Sequence, residues 1–231
     1  MGGFLLLIVV VLVAMLQFHQ LQGQQSYVNN TQLDCDYNYN NTLGYVCNGA
    51  ASSCPSYLTF RSNPPYNTPL LIGLLLNANA SEIARLNNIP RFATIPSGTL
   101  LVVPINCSCT TTTISRFYQH NASYILNTSD TYFTVANNSY QGLTTCQSLK
   151  AQNPFNYRHL LPGQTLKIPL RCACPTSNQT AAGIKYLLTY LVVWTNSVEL
   201  IGQAFGGVDV QSINDANELT SKDLIFPSPH S

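Results

Sequence analysis

Acid–base or nucleophilic chemistry needs carboxylates, histidines, hydroxyls or thiols at close range, and this chain is poor in such sets. Nine Asp and Glu residues and four His are spread over 231 positions. Glycoside hydrolysis uses two opposed carboxylates, yet no Asp or Glu stands between Asp130 and Glu199. His120, in a polar stretch, and His159 lie near no nucleophile motif. The remaining reactive stock is eight cysteines: Cys35, Cys47, Cys54, Cys107, Cys109, Cys146, Cys172 and Cys174. Their two Cys-x-Cys pairs could ligate zinc, but an even count in an oxidising compartment fits a disulfide framework, whose pairing spacing alone does not choose. The expectation is a binding protein without catalysis, cofactor or metal.

The compartment follows from the N-terminus. Phe4 to Leu16 is an unbroken apolar run, followed by mostly polar residues and a small residue at Gly23. It is shorter than the roughly 18 apolar residues a membrane span wants. Residues 1–23 therefore read as a secretory signal peptide, although no Lys or Arg precedes the run. Charged residues make up 8% of the chain and the net charge is +1, which excludes the clustered basic face of a nucleic-acid binder. Eight Asn-x-Ser/Thr acceptors stand at Asn29, Asn40, Asn79, Asn106, Asn121, Asn127, Asn137 and Asn178. Glycans rather than charges would keep such a surface soluble. Asn79, three residues before Glu82, could instead cap a helix.

The elements that must position any site are clearest from Tyr124 to Pro169. An apolar run at Tyr124-Ile125-Leu126 breaks at Asn127 to Asp130, and Asp130 is a suitable helix N-cap. Phe133, Val135, Ala136 and Tyr140 fall on one helical face, and Gly142 ends that helix. Thr144 with Gln147 has the capping-box spacing for a second helix that holds Leu149 and Ala151. Asn153-Pro154 stops it, because a residue before proline avoids helical dihedrals. The turn Pro162-Gly163-Gln164 then leads into Leu166 and Ile168 at period two. This strand–helix–helix–strand spelling, with Asp130-Thr131-Tyr132, Leu160 and LPGQTLKIP at its end, resembles the LysM module, a small βααβ carbohydrate-binding domain.

A second such unit lies upstream. Cys107-Ser-Cys109 and Cys172-Ala-Cys174 each follow a closing strand, LLVVPIN and LKIPLR, as equivalent marks of a repeat. Tyr57 to Arg61 is β-prone, and Thr68-Pro69 combines a cap with proline at the first helical position. Leu71, Ile72, Leu75 and Leu76 fit one helix face, with Ile83, Leu86 and Asn87 on the next helix. A third unit opens with the β-prone Ile184–Trp194. Val198, Leu200, Ile201, Ala204 and Phe205 suit its first helix and Ser212 to Ala216 its second. Phe226-Pro227 should lead into a closing strand, but the sequence stops at Ser231, so the last module is expected to be incomplete or closed by residues beyond it. The organisation expected is a signal peptide at 1–23, a disulfide-tied segment at 24–55, and modules at 56–105, 123–170 and 184–231. Cys-x-Cys linkers at 106–122 and 171–183 would separate them.

Three such modules resemble the ectodomain of plant LysM receptor-like kinases. GYVCNG from Gly44, FRSNPPY from Phe60, TTCQSL from Thr144, RCACP from Arg171 and GIKYLLTY from Gly183 are similar to its inactive-kinase branch. The resemblance implies an α+β fold of three tandem βααβ modules, packed together and held by disulfides. It pairs Cys107 with Cys172, Cys35 with Cys109 and Cys54 with Cys174, leaving Cys47–Cys146 as an additional bridge to the second module. It implies a shallow groove between the loop after the first strand and the loop before the second. In the second module these loops give Asp130, Thr131 and Tyr132, then Pro154, Phe155, Asn156, Tyr157, Arg158, Leu160 and Leu161. Asp130 could equally be the helix cap, and Leu160 and Tyr132 could be core. The implied ligand is chitin oligosaccharide or a lipo-chitooligosaccharide, read at the extracellular face of the plasma membrane in immunity or symbiosis. A partner LysM receptor kinase is also implied, and a co-receptor scaffold with little sugar affinity is the other reading. No membrane helix or kinase follows, so a fragment, a truncated product or a secreted form is expected.

Overall fold

The computed structural model describes residues 33–36, 43–111, 116–220 and 223–225. The leader, Asn29 and Asn40 fall outside these residues. In the first module, strand β2 (Ser53–Arg61) is followed by helices α1 (Pro69–Leu76) and α2 (Ala80–Leu86) and by strand β3 (Leu100–Thr111). Thr68 caps α1 by accepting the Leu71 N–H, with Pro69 in the first turn, and Asn79 caps α2 by accepting from Ser81 and Glu82. Ile72, Leu75, Leu76 and Ile83 are buried, whereas Leu71 and Leu86, expected on the same faces, point to solvent.

The second module has strand β4 (Arg116–Ile125), a helix that starts as α3 (Tyr132–Thr134) and continues as a π-helical stretch at Val135–Ser139, helix α4 (Cys146–Gln152) and strand β5 (Thr165–Arg171). Two caps differ from expectation. Thr131, not Asp130, caps α3 in a reciprocal box with Thr134, and Thr145, not Thr144, caps α4 through the Ser148 N–H. The buried face begins one residue earlier than expected. Tyr132, Val135, Ala136 and Tyr140 are buried, while Phe133 is 41% exposed. Asn153 ends α4 with extended dihedrals, as a residue before proline should.

Where connectors were expected there is continuous strand. β3 pairs with β2 up to Ser108, then with β4 through Ser108–Gln119, Cys109–Tyr118, Thr110–Phe117 and Thr111–Arg116. β4 pairs with β5 from Gln119–Arg171 to Ile125–Thr165. Strand β1 (Tyr45–Val46) lies on the other side of β4, and a two-residue β6 (Leu188–Thr189) runs parallel to β2. The long strand expected at Ile184–Trp194 is therefore only this short piece. His120 sits on β4 with its ring nitrogens 2.8 Å from the Asn106 carbonyl and 3.1 Å from that of Leu76, a structural post between the modules.

Four disulfides join these elements. Cys107–Cys172 and Cys54–Cys174 are as the resemblance implied, but Cys35 bonds Cys146 and Cys47 bonds Cys109. The expected Cys35–Cys109 and Cys47–Cys146 bridges are thus exchanged. The reason is β1: Tyr45 pairs with Tyr118, and Tyr118 pairs with Cys109, so Cys47 ends beside Cys109. Cys35 instead lies along α4, where Gln147 donates to the Asp34 carbonyl and Lys150 to that of Cys35.

One core serves both modules, with Leu58, Phe60, Ile72, Leu101 and Val103 contiguous with Tyr124, Val135, Tyr140, Leu149, Leu166 and Ile168. Asn87 and Asn153 fill equivalent places in it. Asn153 Nδ2 donates to the Leu149 and Lys167 carbonyls, both at 2.9 Å, and its Oδ1 accepts the Lys167 N–H at 2.8 Å. Asn87 does the same with Ile83 and Val102. Asn153→Ala frees all three, so urea unfolding should show a loss of about 2 kcal/mol. A loss below about 0.5 kcal/mol would mean water replaces the carboxamide.

Among the described residues, 198–220 and 223 form a separate compact unit. It holds helices α6 (Val198–Ala204) and α7 (Val210–Ala216) where the sequence placed them, with Asp209 capping α7. Asn217 Nδ2 donates to the Ile213 carbonyl, repeating the first half of the Asn87 and Asn153 pattern. Short helix α5 (Ser177–Ala181), in the larger unit, has a capping box between Thr176 and Gln179.

Candidate functional site

The two loops expected to form a groove are brought together at one end of the second module. Leu126 N–H donates to the Gln164 carbonyl at 2.9 Å and Gly163 N–H to that of Leu126 at 2.8 Å. Gly163 has φ 84°, the left-handed conformation that a side chain resists. The loop between α4 and β5 is further shaped by Asn156, whose Oδ1 accepts the Arg158 N–H, and by Gln164, whose Oε1 accepts that of Leu161.

Asp130 closes the facing loop. Its Oδ2 accepts the Asn127 N–H at 2.7 Å, the Asn127 amide at 3.3 Å and the Tyr124 hydroxyl at 3.1 Å. From the first module Tyr66 joins this set. Burial, reinforced by the nearby Tyr124 and Asp130, pushes the Tyr66 phenol above its ordinary range. The sequence offered no sign that Tyr66 belonged here, because the contact crosses between modules.

Of the ten candidate residues, Thr131, Pro154, Asn156, Arg158 and Leu161 are exposed, Leu161 at 63%. Asp130 is half-buried. Phe155, Tyr157 and Leu160 are half-buried against the core. Tyr132, 1% exposed, is a core residue and leaves the candidate set. It follows the capping residue Thr131, and the first turn directs it inward.

Tyr157 and Arg158 are held from outside the module. The Tyr157 hydroxyl donates to Asp36 Oδ1 at 2.5 Å, Arg158 Nη2 reaches the same oxygen at 3.2 Å, and Lys150 Nζ lies 4.2 Å from the Tyr157 ring centroid. The Tyr157 hydroxyl first, then Arg158, holds the Asp36 carboxyl below the usual carboxylate range. A carboxylate lowered by folding stabilises above its unfolded pKa and loses that effect as pH falls through the folded one. Asp36→Asn should therefore flatten the fall of melting temperature on acidification below about pH 4. Parallel curves for both proteins would rule out this contribution. The pair is solvent-exposed, so the difference at neutral pH should be small.

The acceptor asparagines divide sharply. Asn79, Asn106, Asn121, Asn127 and Asn178 are exposed. Asn137, 0% exposed, lies in the π-helical stretch and has no room for a glycan, which corrects the expectation at that position. Glycopeptide mass spectrometry of the folded, secreted protein should find Asn137 unmodified. A glycan there would show that this helix is packed differently.

Repeated βααβ modules, tied by Cys-x-Cys bridges and each closed by a carboxamide between helix and strand, define a tandem LysM protein. Three domain families match in succession: the NFP/LYK LysM1 domain at residues 53–110, the LYK3/4/5 LysM2 domain at 117–171 and the LYK4/5 LysM3 domain at 186–229. The chain belongs to the LysM proteins of the LYK/NFP type. It is 50% identical over 214 residues to Protein LYK5 of Arabidopsis thaliana, a match covering 90% of this chain and 32% of LYK5. Chitin elicitor receptor kinase 1 of Arabidopsis thaliana is 37% identical over 97 residues, covering 42% of this chain and 15% of that protein. The chain thus spans about a third of the length of LYK5 and less of the kinase. The crystal structure of the ectodomain of a receptor like kinase superposes with TM-score 0.61 at 26% identity, over 73% of this chain and 84% of that one. The LYK3 ectodomain, at 20% identity and TM-score 0.61 over 79% and 92%, shares the fold.

Proposed function

We propose that the chain is the chitin-oligosaccharide-binding ectodomain of a plant LysM receptor or co-receptor, displayed outside the cell and working with a partner LysM receptor kinase. One observation carries the reading. The two loops of the second module are fixed by backbone bonds at Leu126 and Gly163 and present Thr131, Asn156, Arg158 and Leu161 to solvent. Backbone and side-chain donors there suit acetamide and hydroxyl groups, and Leu161 with half-buried Leu160 suits an acetamide methyl. The similarity to a chitin elicitor receptor kinase supports the same ligand class. The role is recognition, with no catalytic step.

A lipo-chitooligosaccharide is the second reading, favoured by the exposure of Leu161 and of Ile125 at the end of β4. Titration calorimetry of the glycosylated protein separates the readings. A plain N-acetylglucosamine oligomer should bind with about micromolar affinity, roughly −8 kcal/mol. Binding of only the lipidated oligomer would favour the second reading. Silence with both, together with sugar-independent capture of a partner ectodomain, would make the chain a scaffold.

A further inference from the structure

Two side chains of the loop between α4 and β5, the Tyr157 hydroxyl and the Arg158 guanidinium, converge on a single oxygen, Oδ1 of Asp36. Asp36 belongs to neither loop of the second module and stands 121 positions before Tyr157. A fixed piece of chain delivers it. Leu33 is 2% exposed and lies in the core, and Gln147 donates to the Asp34 carbonyl. Lys150 Nζ donates to the Cys35 carbonyl at 3.3 Å, and Cys35 is bonded to Cys146 at the start of α4. The Asp36 N–H donates back to Asp34 Oδ1 at 2.9 Å, which turns the backbone there. The carboxylate is therefore presented without the ordering entropy that a loose segment would lose.

As an ion pair alone the contact adds little to stability, since the Arg158 and Asp36 side chains are 66% and 67% exposed. Its effect at a binding surface is of another kind. A long side chain loses rotamer freedom when a ligand fixes it, and one that is already held does not. Because the Tyr157 hydroxyl donates to Asp36, the capacity left on its oxygen is that of an acceptor. Arg158 is bound to Asp36 through Nη2 and keeps further N–H groups as donors. Lys150 and Arg158 both lie over the Tyr157 ring, 4.2 and 5.3 Å from its centroid, and restrict it further. Arg158 is also the sole charged residue over 153–164, and Asp36 balances it. An acceptor and a set of donors at fixed positions, with their charge offset, suit a neutral ligand of hydroxyl and amide groups.

We propose that Asp36 is a positioning residue for ligand recognition by the second module: from outside that module it fixes the Tyr157 hydroxyl and the Arg158 guanidinium in the arrangement that meets the oligosaccharide. The inference rests on the sugar-binding reading of the second module, and its test separates the two. Calorimetry of the full, disulfide-intact chain with an N-acetylglucosamine oligomer should show Asp36→Ala raising Kd about fivefold, as expected when two side chains must be ordered on binding. Its melting temperature at neutral pH should be unchanged, and Asp36→Glu, which keeps the carboxylate, should recover most of the affinity. In a Tyr157→Phe, Arg158→Gln background, Asp36→Ala should cost nothing further, because the groups it acts through are gone. Equal affinity of Asp36→Ala and the unmodified protein would overturn the positioning role and leave the sugar-binding reading standing. A weaker Kd that comes with a lowered melting temperature and no recovery in Asp36→Glu would reduce Asp36 to a structural contact. A full further loss in the double-variant background would mean that Asp36 touches the ligand itself, and would overturn the proposal as stated. No binding by the unmodified protein would overturn both readings together.

Discussion

Cys107→Ser should abolish secretion of folded protein, or lower its stability by about 4 kcal/mol where some folds. Cys107 and Cys172 are fully buried and separated by 65 residues, so the bridge closes a long loop. Loops of this length stabilise by roughly 4 kcal/mol through the unfolded chain. The substitution also leaves a free Cys172 thiol able to exchange with three remaining bridges in an oxidising compartment. Two modules that share a single small core have little reserve against such a loss. Secretion yield and non-reducing peptide mapping check the result. Unmodified yield with the other bridges intact would mean that this pair is dispensable.

Tyr140→Ala should cost about 3–5 kcal/mol, the range for removing a fully buried aromatic ring. The ring is one of the largest fully buried side chains and meets Tyr124 edge-on at a centroid distance of 6.0 Å. Its hydroxyl donates to the Leu75 carbonyl at 3.1 Å, so one side chain packs the second module and reaches the first. Burial also pushes the Tyr140 phenol far above its ordinary range. Tyr140→Phe keeps the ring and removes only that hydrogen bond, and should cost about 1 kcal/mol. Urea unfolding of both variants tests the division. Equal losses would place the effect in the hydroxyl, and a small loss for Tyr140→Ala would mean that the cavity collapses.

What was legible in the sequence is what local chemistry dictates. Thr68-Pro69 and Asn79 announced helix starts, Asn153-Pro154 a helix end and Pro162-Gly163 a turn, and each stands where its residues require. Repetition of closing strands before Cys-x-Cys gave the modular fold. The misreadings lie where distant segments compete. Tyr132 rather than Phe133 is buried because the helix is capped at Thr131, not Asp130, and its first residue turns inward. Cys35 and Cys47 exchanged partners because the short β1 is fixed by its pairing with β4 rather than by its own two residues. Ile184–Trp194 has strand chemistry, but among the described residues only Leu188 and Thr189 pair with β2. In the candidate site, Thr131, Asn156, Arg158 and Leu161 were readable from loop position, whereas Asp36 and Tyr66 were not, because both act across long sequence separations.

The run of β3 and β4 past their own modules bears on how such a protein can be dissected. Cutting the chain between residues 111 and 116 separates Cys109 from the strand it pairs with and leaves two bare edges, one on each piece. Open edges of this kind pair with other copies and aggregate. The same cut leaves the Cys107–Cys172 and Cys54–Cys174 bridges joining what were meant to be separate fragments. Ligand preference therefore cannot be apportioned by expressing the first two modules singly: a fragment that fails to bind sugar would report a broken sheet, not an empty site. Swapping loops on the intact sheet keeps every strand paired, and it is the form in which these modules can be compared.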